Sequence, residues 1–275
     1  MFTSCKVCQG NIHVVNRKFN LAACEKCNLI FCVETYTDNE FIKTYDKLYN
    51  SGVRAKYKVH SEIEFNEMKS GNINIGYNRK RFLNKNLKRG DKVLEIGSGN
   101  GLVGLYLKNN FEEIDYTGIE IDETTANKAK FFGLNTKIGD YKILQDISEC
   151  DSFDVIMMWE VLEHIQDLNL CIKLIKDKLK VNGKIILSVP NYDKRLNYEY
   201  NVERLYQSGP PIHLNFFTGT ALINVFEAFG FKVVKFKKKK FPYLNPKSFE
   251  FYKLILKKIF GNYEGSTLYL VALNR

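Results

Sequence analysis

The 275-residue sequence predicts an α/β fold in which a mostly parallel sheet is covered by helices on both faces. Three observations predict it. Val93-Leu94-Glu95-Ile96-Gly97-Ser98-Gly99-Asn100-Gly101 reads as a buried strand that ends in a carboxylate and turns sharply through alternate glycines into a helical pattern of Leu102, Val103, Leu105 and Tyr106. From residue 91 onward, short apolar runs alternate with amphipathic ones. Two Cys-x-x-Cys pairs near the N-terminus mark a separate small module.

That module is expected over residues 1–35. Cys5-Lys6-Val7-Cys8 and Cys24-Glu25-Lys26-Cys27 are separated by fifteen residues, and Ile12, Val14 and Phe19 suggest a short β-ribbon between them. Each pair can wrap one side of a tetrahedral ion, so Cys5, Cys8, Cys24 and Cys27 predict a closed, structural zinc site. A redox dithiol is the competing reading, disfavoured because two matched pairs occur with no thioredoxin-like βαβ pattern around them. Cys32, Cys150 and Cys171 lie in apolar contexts and read as core thiols.

Residues 36–90 are expected to be mainly helical. Phe41, Tyr45, Leu48 and Tyr49 recur at helix spacing, and 79–87 forms a second amphipathic run. These helices read as a linker packed between the module and the main domain, or, as the family resemblance given below implies, as a cap over a pocket. Over 91–275, helices are expected near 101–109, 123–132, 167–180 and 218–229. Strands are expected near 92–96, 115–121, 153–158, 184–189, 231–236 and 266–273. The long connection 190–217 is of the length that usually carries function.

The glycine turn has two readings. Gly99-Asn100-Gly101-Leu102-Val103-Gly104 fits a dinucleotide fingerprint with Glu120 about 20 residues on. Glu-x-Gly-x-Gly-x-Gly, beginning at Glu95, fits better because Gly97 directly follows the strand. This pattern resembles the first motif of class I S-adenosylmethionine (SAM) methyltransferases. Tyr116-Thr117-Gly118-Ile119-Glu120, Ile138-Gly139-Asp140, Phe153-Asp154-Val155-Ile156-Met157-Met158-Trp159-Glu160 and Gly183-Lys184-Ile185-Ile186-Leu187-Ser188-Val189-Pro190-Asn191 resemble the later motifs in order. The match covers roughly residues 91–191 and is nearest the branch of ubiquinone-type O-methyltransferases and glycan-cluster methyltransferases.

The resemblance implies a Rossmann-like fold with a mostly parallel seven-stranded sheet and a SAM cofactor. It implies that Gly97, Gly99 and Gly101 admit the methionine tail, that Glu95 holds its ammonium, and that Glu120 accepts the ribose hydroxyls. Asp140 would take the adenine amino group, with Tyr141 as a ring neighbour, and Glu160 would border the cofactor. Asp122 is expected to point away. Glu160, Glu163 and His164 also resemble a cluster that holds a divalent metal such as Mg²⁺ in some ubiquinone-type enzymes.

A hydroxyl acceptor would benefit from a base, and two histidines fall near the expected carboxyl edge of the sheet. His164 follows the fourth strand of the main domain. His213 lies in Pro210-Pro211-Ile212-His213-Leu214-Asn215-Phe216-Phe217, an apolar setting that favours a neutral ring. His213 is the preferred catalytic base, with His164 as the alternative or as an orienting residue.

The net charge of +10 is concentrated: residues 231–275 hold eleven Lys plus Arg against Glu250 and Glu264. The run 235–240 and the helix-like 247–260 would suit an anionic substrate, a membrane surface or RNA, or form a solvated cap. No apolar run reaches the length of a membrane span and no signal-peptide core is seen, so a cytoplasmic protein is expected. Together with the cysteine pairs and the basic end, the resemblance implies a zinc-ribbon-bearing SAM methyltransferase that O-methylates a small anionic acceptor, such as a nucleotide-linked sugar or phosphorylated glycan precursor. RNA methylation and sugar C-methylation are the alternatives.

Overall fold

The computed structural model describes residues 1–41, 43, 55–148, 152–193, 209–238, 249–260 and 265–275. The expected helix through Tyr45, Leu48 and Tyr49 lies outside the described residues, as do Cys150, Lys239 and Lys240.

Seven strands form the main sheet in the order β10-β11-β8-β7-β4-β5-β6. They are β4 (Lys92–Ile96), β5 (Asp115–Glu120), β6 (Asn135–Ile138), β7 (Phe153–Trp159), β8 (Leu179–Pro190), β10 (Lys232–Lys238) and β11 (Thr267–Leu273). The pairs β4/β5, β4/β7, β5/β6 and β7/β8 are parallel, while β11 runs antiparallel to β8 and β10. The mostly parallel seven-stranded sheet is therefore as expected, with β8 longer than its apolar stretch alone suggested.

Side-chain alternation along the strands feeds two cores. Leu94, Ile156, Met158, Ile185 and Leu187 face one side, against α5 (Leu168–Lys178) and α6 (Gly219–Ala228). Val93, Val155, Met157 and Ile186 face the other, against α2 (Tyr77–Asn86), α3 (Leu102–Asn110) and α4 (Glu123–Phe131). The starts of α4, α5 and α6 are capped by short polar side chains, which satisfy backbone donors left open in the first turn. Asp122 accepts from the Thr125 amide at 2.7 Å, Asp167 from Leu170 at 2.9 Å and Thr218 from Ala221 at 3.1 Å. Asp122 is thus directed to its own helix. A further helix, α1 (Ala55–Lys69), precedes α2, and α7 (Phe249–Ile259) lies between β10 and β11.

The N-terminal module is a small antiparallel sheet of β1 (Ile12–Asn16), β2 (Leu21–Cys24) and β3 (Ile30–Cys32). Its fourth strand comes from elsewhere. β9 (Asn215–Phe216) pairs with β3 through Ile30↔Phe216 and Phe31↔Asn215. Cys5, Val7, Cys27, Leu29 and Phe31 belong to the same core as α5 and α6. The Lys6 ammonium donates to the Gln166 carbonyl at 3.1 Å, and Gln166 exchanges two hydrogen bonds with the Tyr36 backbone. The module is joined to the main domain along a shared sheet and a shared core.

Candidate active site

The turn after β4 is built by steric demand at some glycines and by openness at another. Gly101 has φ 81°, and a Cβ there would meet Leu134 Cδ1 at 2.5 Å and Ala129 Cβ at 2.9 Å. Gly99 also has positive φ, 56°, yet a Cβ there would meet nothing within 4 Å. Packing explains Gly101, whereas Gly99 leaves an open backbone surface that a ligand can approach. Gly97 sits against Val161, with a hypothetical Cβ 2.5 Å from its Cγ2, so the turns after β4 and β7 touch.

Helix α1 lies against this turn. The Asn100 amide donates to the Ser61 carbonyl at 2.9 Å and to Glu64 at 3.1 Å, while Ser61 Oγ donates to Asn100 Oδ1 at 3.1 Å. Lys128 of α4 pairs with Glu62, and Phe65 packs on Phe131 and Phe132. Asn100 was legible only as a spacer between glycines, because its partners lie in a segment with no motif.

Glu95 is buried at the end of β4, 2% exposed, and accepts from the Tyr116 hydroxyl at 2.6 Å. Burial pushes its carboxyl up to about 8, partly offset by the Tyr116 hydrogen bond and the Arg79 charge. Arg79 itself lies over the Trp159 ring at 5.4 Å. Glu120, at the end of β5, accepts from the Gly99 amide at 2.8 Å and the Asp122 amide at 3.0 Å. Burial raises its carboxyl against those two backbone hydrogen bonds. Asp140 follows β6, accepts from the Lys142 amide at 2.7 Å and pairs with the Lys142 ammonium at 3.7 Å, its carboxylate partly exposed. Tyr141, the next residue, is buried in the core that holds Leu94 and Ile96.

Glu160 follows β7 with φ 57°, a conformation that costs a non-glycine residue roughly 1–3 kcal/mol. Ser188 Oγ donates to its carboxylate at 2.8 Å. The metal-like trio suggested by sequence is therefore regrouped. Glu163, His164 and His213, rather than Glu160, each place a potential ligand atom within 4.8 Å of the others. The rings of His164 and His213 meet edge-on at 4.9 Å, and His164 Nδ1 lies 2.8 Å from the Ile212 carbonyl oxygen. Glu163 is fully enclosed, and burial together with the Glu160 charge holds its carboxyl well above the usual range. This donor set could hold a divalent cation, or it could work as a pair of imidazoles beside a protonated acid.

A residue that sequence reasoning overlooked fixes this arrangement. The Asn215 amide donates to the carbonyls of Leu162 at 3.0 Å and Ile165 at 2.7 Å, and the Leu214 amide donates to the Glu163 carbonyl at 2.8 Å. The two histidine-bearing segments are thus laced together.

In the N-terminal module the four predicted cysteines converge. Cys5 and Cys27 Sγ are 3.6 Å apart, Cys8 and Cys24 Sγ are 3.4 Å apart, and all four lie within 4.8 Å of one another. These spacings are near the roughly 3.8 Å expected between sulfurs around a tetrahedral zinc with Zn–S of about 2.3 Å. Amides of Val7, Lys26 and Cys27 donate to the sulfurs of Cys5 and Cys24 at 3.3–3.4 Å. Such donors favour thiolates, and the hydrogen bond from the Cys27 thiol draws Cys5 down to about 5. The donor set fits a metal ion.

The sheet order and the glycine turn define a class I methyltransferase domain, and comparison with known proteins agrees. The chain belongs to the Methyltransferase domain family, whose model matches residues 74–235. The ubiquinone biosynthesis O-methyltransferase of Idiomarina loihiensis is 31% identical over 107 residues, which cover 37% of this chain and 43% of that protein. The ribosomal RNA small subunit methyltransferase G of Mycoplasma capricolum is 24% identical over 210 residues, covering 69% of this chain and 88% of that protein. A SAM-dependent methyltransferase structure from Archaeoglobus fulgidus shares the fold with a TM-score of 0.53 at 18% identity, covering 85% of this chain and 99% of that one. The chain spans 33–43% of the length of the first curated relatives it matches.

Proposed function

We propose that this chain is a SAM-dependent methyltransferase that methylates a hydroxyl of a small anionic acceptor, with His213 as general base. The observation that carries the reading is the His164–His213 pair, which adjoins the turn where Val161 packs on Gly97. SAM, when bound, supplies a methyl group on a sulfonium that departs as a neutral thioether. Gly99 offers open backbone to the methionine tail, Glu95 a buried acid for its ammonium, and Glu120 a carboxylate for the ribose. Asp140 is the acid for the adenine amino group, and Glu160 borders the cofactor.

Methyl transfer to oxygen is largely a matter of alignment, worth up to ~7–11 kcal/mol. A base that removes the hydroxyl proton adds ~10²–10⁴ in rate. In this reading His213 takes that proton, and His164, whose Nδ1 lies 2.8 Å from the Ile212 carbonyl oxygen, orients the loop. The sugar or glycan class rests on the likeness of Pro190-Asn191 and of the loop 213–218 to glycan-cluster enzymes, and the anionic character rests on charge. Lys237 and Lys238 end β10 beside the carboxyl edge of β8, where Lys238 pairs with Asp193 at 3.1 Å. A nucleotide-linked sugar or phosphorylated glycan precursor fits that setting. The four cysteines are assigned to one structural zinc ion.

Calorimetry with SAM tests the cofactor reading, and transfer of labelled methyl from SAM into fractionated host extract tests the acceptor. Label in the nucleotide-sugar fraction is the expected result, and absence of SAM binding would overturn the assignment. The similarity to an rRNA methyltransferase along 69% of the chain favours a second reading, RNA methylation. Label in RNA, with affinity that falls steeply with salt, would establish that reading instead.

A further inference from the structure

We propose that α7 is a membrane-contact helix that seats the protein on an anionic lipid surface. This goes beyond methyl transfer and does not depend on it. Phe249, Tyr252, Leu256, Ile259 and the adjoining Phe260 are 84%, 60%, 54%, 70% and 72% exposed. At about 100° per residue these five side chains fall on one arc roughly 100° wide. Phe251, Leu254 and Ile255, on the remaining face, are half-buried. The two faces therefore differ, one partly shielded and the other an outward apolar stripe. A continuous exposed stripe of large apolar side chains marks an interaction surface.

Charge selects the occupant. Lys253 and Lys257 are exposed and border the stripe on one side. The strands on either side of α7 end at Lys238 and resume at Thr267, opposite Pro190, at the sheet edge that carries the candidate active site. A bilayer surface satisfies both halves of this pattern, with aliphatic and aromatic groups entering the acyl boundary and ammonium groups meeting headgroup phosphates. RNA would meet the lysines but leave Leu256 and Ile259 in water. With 11 residues, α7 is too short to span and would lie in the interface plane. Among the described residues no helix is long and apolar enough to cross a membrane.

Co-sedimentation of the full chain with vesicles is the test. Binding to mixed phosphatidylcholine–phosphatidylglycerol vesicles, weaker at high salt and weak to pure phosphatidylcholine, is expected. The double variant Leu256→Glu/Ile259→Glu should lower binding by about tenfold or more, and Lys253→Glu/Lys257→Glu should abolish the preference for phosphatidylglycerol. SAM calorimetry and thermal unfolding report whether each variant is folded, and Phe249→Ser is the milder apolar substitution if the double variant is not. No binding to either vesicle, or binding indifferent to the apolar substitutions, would overturn the proposal. So would lysine-dependent binding to bulk tRNA without vesicle binding, or a dimer by light scattering that dissociates on Leu256→Glu. Loss of SAM binding in the wild type would refute the cofactor assignment and leave the vesicle result standing.

Discussion

Glu95 and Tyr116 store a proton where the proposed cofactor carries its ammonium. With the Glu95 carboxyl pushed up to about 8, the ligand-free protein at pH 7 holds it mostly neutral. An arriving ammonium favours the carboxylate, so SAM binding should release a proton near neutrality and tighten as pH rises toward 8. Calorimetry in buffers of different ionisation enthalpy reads that proton directly. Glu120→Ala, which removes a charge-assisted acceptor, should weaken SAM by on the order of 1.5–3 kcal/mol in the same measurement. The acids at strand ends were legible because a carboxylate closing an apolar run has few structural uses. Tyr116 was not, because its partner lies 21 residues earlier on the neighbouring strand and only the β4–β5 register brings the two together.

Elements carry the second group of expectations. His213 is held between the β7 exit and a strand of the N-terminal sheet, since the Cys32 amide donates to the Leu214 carbonyl at 2.9 Å. His213→Ala should lower turnover ~10²-fold with SAM affinity near wild type. If His164→Ala does this instead, the two histidines exchange roles. Metal analysis should return one zinc per chain. Cys5→Ser should abolish it and loosen the 212–216 segment, seen as faster amide exchange at Leu214, while SAM affinity changes little. The main-domain strands and helices could be read from their periodicity. β9 could not: two residues display no period, and the pairing partner lies more than 180 positions away.

At the scale of the molecule, buried acids make stability depend on pH. The Glu95 carboxyl stands at about 8 in the folded protein, against roughly 4.3 for an unperturbed glutamate. Between those values the folded state binds more protons than the unfolded one, so this group's contribution falls as pH rises, by up to ~1.4 kcal/mol per pH unit. The unfolding free energy of wild type relative to Glu95→Gln should therefore decline from about pH 4.5 to 8 and then level off, as denaturant titrations can follow. The concentration of charge in the last 45 residues was visible in the sequence, but the pairing of Lys238 with Asp193 and of Lys237 with Asn78 was not. A row of lysines states a charge and leaves its partners to the fold.

The strand that residues 215–216 lend to the N-terminal sheet also imposes an order of events during synthesis. All four clustered thiols are present once residue 27 has emerged, and β1 to β3 can pair by residue 32. The outer edge of β3 then waits for Asn215 and Phe216. At typical elongation rates of 5–20 residues per second, that wait is roughly ten to forty seconds. For that interval the nascent chain displays an unpaired strand edge and the apolar faces of Leu29 and Phe31, the kind of surface that ribosome-associated chaperones shield. A ribosome stalled before residue 215 should therefore leave a metal-competent N-terminus that is prone to associate with its neighbours on the same polysome.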